Sequence, residues 1–275
     1  MSAVTSPGGG RLHGGVGSGE RSREIVHVEH VMGTAVSIHL RLGTGSQEPS
    51  STVGAALERA CAELHGADGL FSTWKPESPM SMLRRGLLSP DEVPDEIGQV
   101  LDLCAYVRDL SSGWFDPWAM PGGVDPTGIV KGWAVERALG ALRVRDVAAA
   151  SVNAGGDVAV FGEPAEGTRW RIGVRHPWRP DALACVLLVD DAVATSGTYE
   201  RGPHLVDPRT GGPRACAASA SVVGPSLALA DGMATALAVG GDEVLERLAE
   251  LPRYEGYLVR TDGTEIWTPG MPFDE

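Results

Sequence analysis

The segment Ala230-Asp231-Gly232-Met233-Ala234-Thr235-Ala236-Leu237 sets one carboxylate among small apolar residues. A helix of this composition belongs inside a protein rather than on its surface. Positions four apart share a helix face, so Asp231 and Thr235 project together. A lone buried carboxylate is costly unless it is paired or bound to a metal. Gly232 within the helix costs roughly 1 kcal/mol relative to Ala, which points to a close approach by a neighbouring element. Two readings stand at this point. Asp231 caps a shorter helix and Thr235 merely packs, or the pair forms a ligand site.

The rest of the chain predicts what surrounds this helix. Alternation over Val26–Glu29 and Thr34–Leu40 predicts an opening strand pair bent at Met32-Gly33. Helical spacing runs from Val53 to about Leu64, from about Asp95 to Leu110 with Gly113 beyond its end, and from Ile129 to Leu142. Short β-type runs follow at Ala150–Ala154, Asp157–Phe161, Arg169–Val174, Ala184–Val189 and Ala218–Val223. A helix over about Ser226–Val239 ends at Gly240-Gly241, another spans about Asp242–Leu251, and strands at Tyr257–Arg260 and Thr264–Trp267 close the chain. Many strands with few alternating βα units predict an α+β fold of mixed or antiparallel sheets with packed helices.

With 275 residues, 43% of them apolar, the chain can bury a full core in one large domain or two joined lobes. Its net charge of −13 argues against nucleic-acid or anionic-membrane partners, and no apolar run is long enough to span a membrane. Residues 1–24, rich in Gly, Ser and Arg, read as a disordered tail without an export signal, and residues 25–275 as the folded part. Cys61, Cys104, Cys185 and Cys216 form no CxxC pair and read as small buried thiols of a cytoplasmic protein.

Four further motifs carry polar chemistry. Gly122-Gly123-Val124-Asp125-Pro126-Thr127-Gly128-Ile129-Val130-Lys131-Gly132 places glycines ahead of a helix N-terminus with a lysine nearby, an arrangement that suits phosphate and also occurs in ordinary turns. Asn153-Ala154-Gly155-Gly156-Asp157 is either a hairpin turn or a glycine-lined floor for a flat or anionic ligand. Thr195 and Ser196 precede His204-Leu205-Val206-Asp207-Pro208-Arg209-Thr210-Gly211, where the Asp-Pro-x-Thr-Gly portion is turn-forming and His204 beside Asp207 could act as general base toward a hydroxyl. Phe71-Ser72-Thr73-Trp74 and Gly113-Trp114-Phe115-Asp116-Pro117 hold aromatic side chains able to stack on a flavin or adenine, with core packing the default for Phe71 and Phe115.

Taken in order, Met32-Gly33-Thr34, FSTW, Gly-x-Phe-Asp-Pro, Asp-x-x-Gly-x-x-Lys-Gly, NAGGD, ATSG with HLVDPRTG, and ADGMATAL resemble the ApbE family of FAD:protein FMN transferases over roughly residues 30 to 240. The resemblance implies a T-fold-related architecture and a Mg²⁺-dependent enzyme. Such an enzyme splits FAD at its diphosphate, releases AMP and joins FMN to a Ser or Thr hydroxyl of a partner flavoprotein. FAD hydrolysis to FMN and AMP, or FAD binding without turnover, are the alternatives. By position, Asp231, Thr235 and the Gly128 carbonyl match metal ligands. Met32, Trp74, Trp114, Phe115, Asp116, Asp125, Lys131 and Val206 match positions lining the FAD site, joined by Gly155, Gly156, Thr195 and Ser196 from the motifs above. His204, Asp207 and Lys131 are the catalytic candidates. Only Trp118–Val124 separates Pro117 from Asp125, a departure from the longer connection that the resemblance implies, and an altered approach to the flavin is expected from it.

Overall fold

The computed structural model describes residues 23–43, 50–197 and 205–274. Eight strands form one sheet in the order β1 (Glu24–Val31), β2 (Thr34–Leu42), β3 (Val147–Ala154), β4 (Asp157–Phe161), β7 (Ala192–Gly197), β8 (Ala217–Gly224), β9 (Glu255–Arg260) and β10 (Glu265–Trp267). β5 (Trp170–Arg175) and β6 (Leu183–Val189) pair as a separate ribbon. Among the described strands every pairing is antiparallel, so the α+β expectation resolves to its antiparallel form.

Successive strand residues point to opposite faces, and both faces of the central strands are covered. On one face Ile38, Val152, Ala154, Ala194, Ala220 and Leu258 pack beneath helices α1 (Ser51–Phe71), α4 (Thr127–Ala141) and α5 (Leu227–Gly240). On the other, Val158, Val160, Val193, Tyr257 and Val259 meet Trp170, Ile172, Leu187 and Val189 of the ribbon, with Met271 beside them. The remaining helices are α2 (Pro79–Arg84), α3 (Asp95–Leu110) and α6 (Asp242–Glu250).

Most boundaries lie within a few residues of those expected, and α3 and β4 coincide with them. Three elements depart. α1 continues to Phe71, because Ala67 and Phe71 prolong its buried stripe beyond Leu64. α2 is too short to leave a periodic pattern and starts where Ser78 caps Ser81, with Pro79 at its first position. β7 was expected only as a polar motif. It is a central strand whose hydroxyls bond to neighbouring elements, with Ser196 half-buried at the cavity.

Of the tail expected over residues 1–24, residues 1–22 lie outside the described residues, and Glu24 already begins β1. All four cysteines are free, but Cys104 alone among them is fully buried, so the expectation of four buried thiols is corrected. Among the described residues no helix is long and apolar enough to cross a membrane.

Candidate functional site

The site grows from the crossing of α4 and α5. Glycine makes that crossing possible. A Cβ on Gly132 would fall 2.6 Å from the Leu227 carbonyl oxygen, and one on Gly232 would fall 2.9 Å from Ile129 and Val107 side-chain carbons. The close approach expected at Gly232 is therefore present, and Gly132 supplies its counterpart on α4. Across this seam the Gly132 N–H donates to Asp231 Oδ2 at 3.0 Å. Helical register pairs that same N–H with the carbonyl of Gly128, so the Asp231 carboxylate sits at the first turn of α4. A Cβ on Gly128 would lie 3.5 Å from Thr235 Oγ1 and 2.9 Å from the Phe115 ring. Ser196 Oγ is 3.2 Å from Thr235 Oγ1. Asp231, Thr235, Gly128 and Ser196 thus line one wall of a cavity of about 610 Å³, to which they bring a carboxylate and two hydroxyls.

Beside them stands a second polar system. Lys131, one turn along α4, forms an ion pair with Asp157, which is fully buried. Asp157 Oδ1 also accepts the Thr195 N–H at 3.0 Å, and Thr195 Oγ1 is 2.8 Å from Ser221 Oγ. The lysine keeps its stem in the cavity wall while its ammonium is oriented by a carboxylate. Asn153 Oδ1 accepts the Gly156 N–H at 3.0 Å, closing a two-residue turn in which Gly155 has φ +62° and Gly156 φ +103°. The motif forms the hairpin turn, and Gly155 lines the cavity beside Thr34, whereas Gly156 does not.

The rest of the lining includes aromatic rings and carboxylates. Trp114 is buried and donates from Nε1 to Glu243 at 2.8 Å, while the Arg209 guanidinium carbon lies 3.7 Å from its ring centroid. Asp125 accepts from Thr127 N and Oγ1 at 3.1 and 2.7 Å and from Arg84 at 2.6 Å, fixing the entry to α4. Asp116 caps the short 3-10 turn at Pro117–Ala119 by accepting the Trp118 N–H at 3.0 Å. The compact 118–124 connection closes through Asp125 N to the Pro117 carbonyl at 2.9 Å and lends Met120 and Pro121 to the cavity. Val206 and Leu205 complete the lining from the C-terminal half.

Some expected residues stand elsewhere. Trp74 is 93% exposed and outside the cavity, because it follows the end of α1 on a turn with nothing packed over it. Met32 occupies the β1–β2 turn at φ +53° and packs against the main core, leaving Gly33 and Thr34 to reach the cavity. Asp207 is buried behind the wall, where it accepts the Arg209 N–H at 2.9 Å and pairs with Arg214 at 3.3 Å. These contacts brace the Asp-Pro-x-Thr-Gly turn. His204 lies outside the described residues.

Sequence reasoning passed over Asp157, Arg84, Thr34 and Arg175, all of which line the cavity or orient residues that do. The Asp157 in the Asn-Ala-Gly-Gly-Asp motif was a readable signal, since a carboxylate flanked by apolar strand residues needs a partner.

A family profile described as the ApbE family matches residues 32–123 and 119–258, and its two stretches meet in the short connection beside the cavity. An FAD:protein FMN transferase of Rhodobacter capsulatus is 36% identical over 152 residues, covering 51% of this chain and 29% of that protein. One from Chlamydia pneumoniae is 25% identical over 271 residues, covering 75% of this chain and 83% of its own length. The chain therefore aligns with under a third of the first relative's length and with most of the second's. Among solved structures, the flavin transferase ApbE from Vibrio cholerae superposes with a TM-score of 0.76 at 20% identity, over 90% of this chain and 98% of that one. The ApbE protein from Thermotoga maritima gives 0.73 at 21%, over 90% and 97%. These likenesses fix the fold, and with the profile matched along most of the described sequence, the chain belongs to the ApbE family.

Proposed function

We propose that this chain transfers the FMN part of FAD to a Ser or Thr hydroxyl of a partner flavoprotein and releases AMP. The observation that carries this reading is the gathering of Asp231, Thr235 and the first turn of α4, with its Lys131, on one wall of a cavity of suitable size in a member of the ApbE family. The curated relatives that match it are named FAD:protein FMN transferases.

The donor set fits Mg²⁺. Asp231 supplies one carboxylate, Thr235 a hydroxyl and Gly128 a backbone carbonyl, all hard oxygens. Mg²⁺ is ordinarily held by one or two carboxylates together with phosphate oxygens and water. When bound there, the ion would neutralise charge on the diphosphate. The residues of the chain supply the rest. The positive end of the α4 dipole and the Lys131 ammonium favour the anionic diphosphate. Asp157 orients that lysine. The Gly155 turn leaves room for a close approach, and Trp114 and Phe115 offer an apolar wall to the flavin. In the transfer, the acceptor hydroxyl oxygen forms a bond to the FMN phosphorus while the diphosphate P–O bond to AMP breaks. The hydroxyl proton passes to a base, the role the family resemblance gives to His204. Four free cysteines agree with a cytoplasmic setting, where thiols stay reduced.

Incubation with FAD and Mg²⁺, with and without a Ser- or Thr-bearing acceptor peptide, tests the proposal by mass spectrometry. An FMN–peptide adduct with stoichiometric AMP is expected. FMN and AMP without any adduct would indicate hydrolysis, and intact FAD under all conditions would exclude both reactions.

A further inference from the structure

A second cluster of metal-binding side chains lies away from the cavity, where the edge strand β1 meets α1. His27 and Glu29 are two apart on β1 and therefore share a face. Cys61 and His65 are four apart on α1 and share another. These faces meet. His27 Nε2 is 3.2 Å from Glu29 Oε2 and 3.5 Å from Cys61 Sγ, and one ligand atom from each of the three residues lies within 4.8 Å of the others. His65 Nε2 approaches the second oxygen of Glu29 at 3.1 Å.

We infer that His27, Glu29 and Cys61 form a binding site for a zinc-like divalent cation that pins β1 to α1, with His65 orienting Glu29. The spacing supports this assignment. Bonds of about 2.0–2.1 Å to nitrogen or oxygen and about 2.3 Å to sulfur put neighbouring ligands of a tetrahedral ion about 3.3–3.6 Å apart. The two His27 separations are of that size before any ion enters. The donor set of nitrogen, oxygen and sulfur selects zinc or another borderline ion over Mg²⁺, which the all-oxygen wall at Asp231 suits. All three ligands are partly exposed, which leaves an entry path and a fourth position for water. The hydrogen bond from His65 to the outer oxygen of Glu29 is the kind of contact that fixes a ligating carboxylate. At the edge of the sheet such a link would restrain the strand that has a pairing neighbour on one side only. This inference does not rest on the proposed transferase activity.

The test is calorimetric titration of Zn²⁺ into the metal-stripped full chain with Mg²⁺ in excess, and Co²⁺ substitution read by absorbance. One saturable Zn²⁺ site, a near-ultraviolet thiolate–Co²⁺ band and a higher unfolding temperature with Zn²⁺ are expected. Cys61→Ser removes the band and weakens binding more than about 100-fold, whereas His65→Ala weakens it about 10- to 100-fold. His27→Gln keeps the thiol and weakens binding to the same degree as Cys61→Ser, so it decides the matter should Cys61→Ser not fold. Asp231→Ala leaves Zn²⁺ affinity unchanged. Absence of saturable Zn²⁺ uptake, a Co²⁺ band that survives Cys61→Ser, or undiminished affinity in His27→Gln would overturn the assignment.

Discussion

The Gly132 N–H reaches Asp231 Oδ2 at 3.0 Å across the seam between α4 and α5. A single hydrogen bond thus couples the close packing of two buried helices to the placement of the carboxylate on the cavity wall. Asp231 is 4% exposed, and its position depends on both helices keeping their present separation.

Substitution at the two seam glycines should therefore differ in severity. Gly132→Ala drives a methyl into the backbone of Leu227 and Ala228, which cannot step aside without moving α5. A loss of about 1–3 kcal/mol or more is expected by urea denaturation, together with weakened Mg²⁺ binding. Gly232→Ala meets only the side chains of Ile129 and Val107, which can shift rotamer, and should cost less. Equal costs would contradict this account of the seam.

The Lys131–Asp157 pair predicts an asymmetric cost. Asp157 is fully buried, whereas the Lys131 side chain is 23% exposed at the cavity. Lys131→Met strands a buried carboxylate and should cost about 3–5 kcal/mol at neutral pH. Asp157→Asn leaves an ammonium that can turn toward water and should cost less. Thermal unfolding of the two variants side by side checks the order.

Glu136 gives a pH dependence. From α4 its carboxylate accepts the Leu227 and Ala228 N–H groups at the start of α5. Burial raises its pKa above the ordinary 4.5, opposed in part by hydrogen bonds from Ser226, Ala228 and Leu227. For an acid whose folded value is raised, the contribution to stability is fully present below the unfolded value and lost as pH rises through the folded one. Glu136→Gln keeps an acceptor oxygen and should flatten stability against pH in that window. Glu136→Ala loses the cap and should cost about 1–2 kcal/mol. Denaturant midpoints from pH 4 upward would show an unchanged slope in Glu136→Gln if this assignment is wrong.

Trp74→Ala tests whether that residue contacts FAD. A side chain 93% exposed should contribute little, so stability should change by less than about 0.5 kcal/mol and FAD affinity not at all. A large loss of FAD binding would place Trp74 in the site after all.

How much of this was legible in the sequence follows from how each signal arises. Elements with one wet face, such as β2 and α3, show their period because polar and apolar residues alternate along them. β7 gives no such signal. Ala192-Val193-Ala194-Thr195-Ser196-Gly197 is packed on both faces of the sheet, with Ser196 alone half-buried at the cavity, and its hydroxyls bond to Ser221 and Thr235. The Asp231 and Thr235 spacing survives in sequence because one helix carries both. The pairing of Lys131 with Asp157, and of Arg84 with Asp125, joins separate elements and appears only when the chain is folded. Trp74 stands exposed after α1, and an aromatic side chain beside a loop carries no sign in sequence of which way the loop turns.

The central claim is that Asp231 holds a metal ion against the diphosphate of FAD, and the Mg²⁺ dependence of AMP release tests it most directly. The wild-type chain should release AMP from FAD only with Mg²⁺, saturably, and Asp231→Ala should lose that release at least about 100-fold while its folded spectrum is kept. AMP release by Asp231→Ala at the wild-type rate and with the same Mg²⁺ requirement would contradict the account.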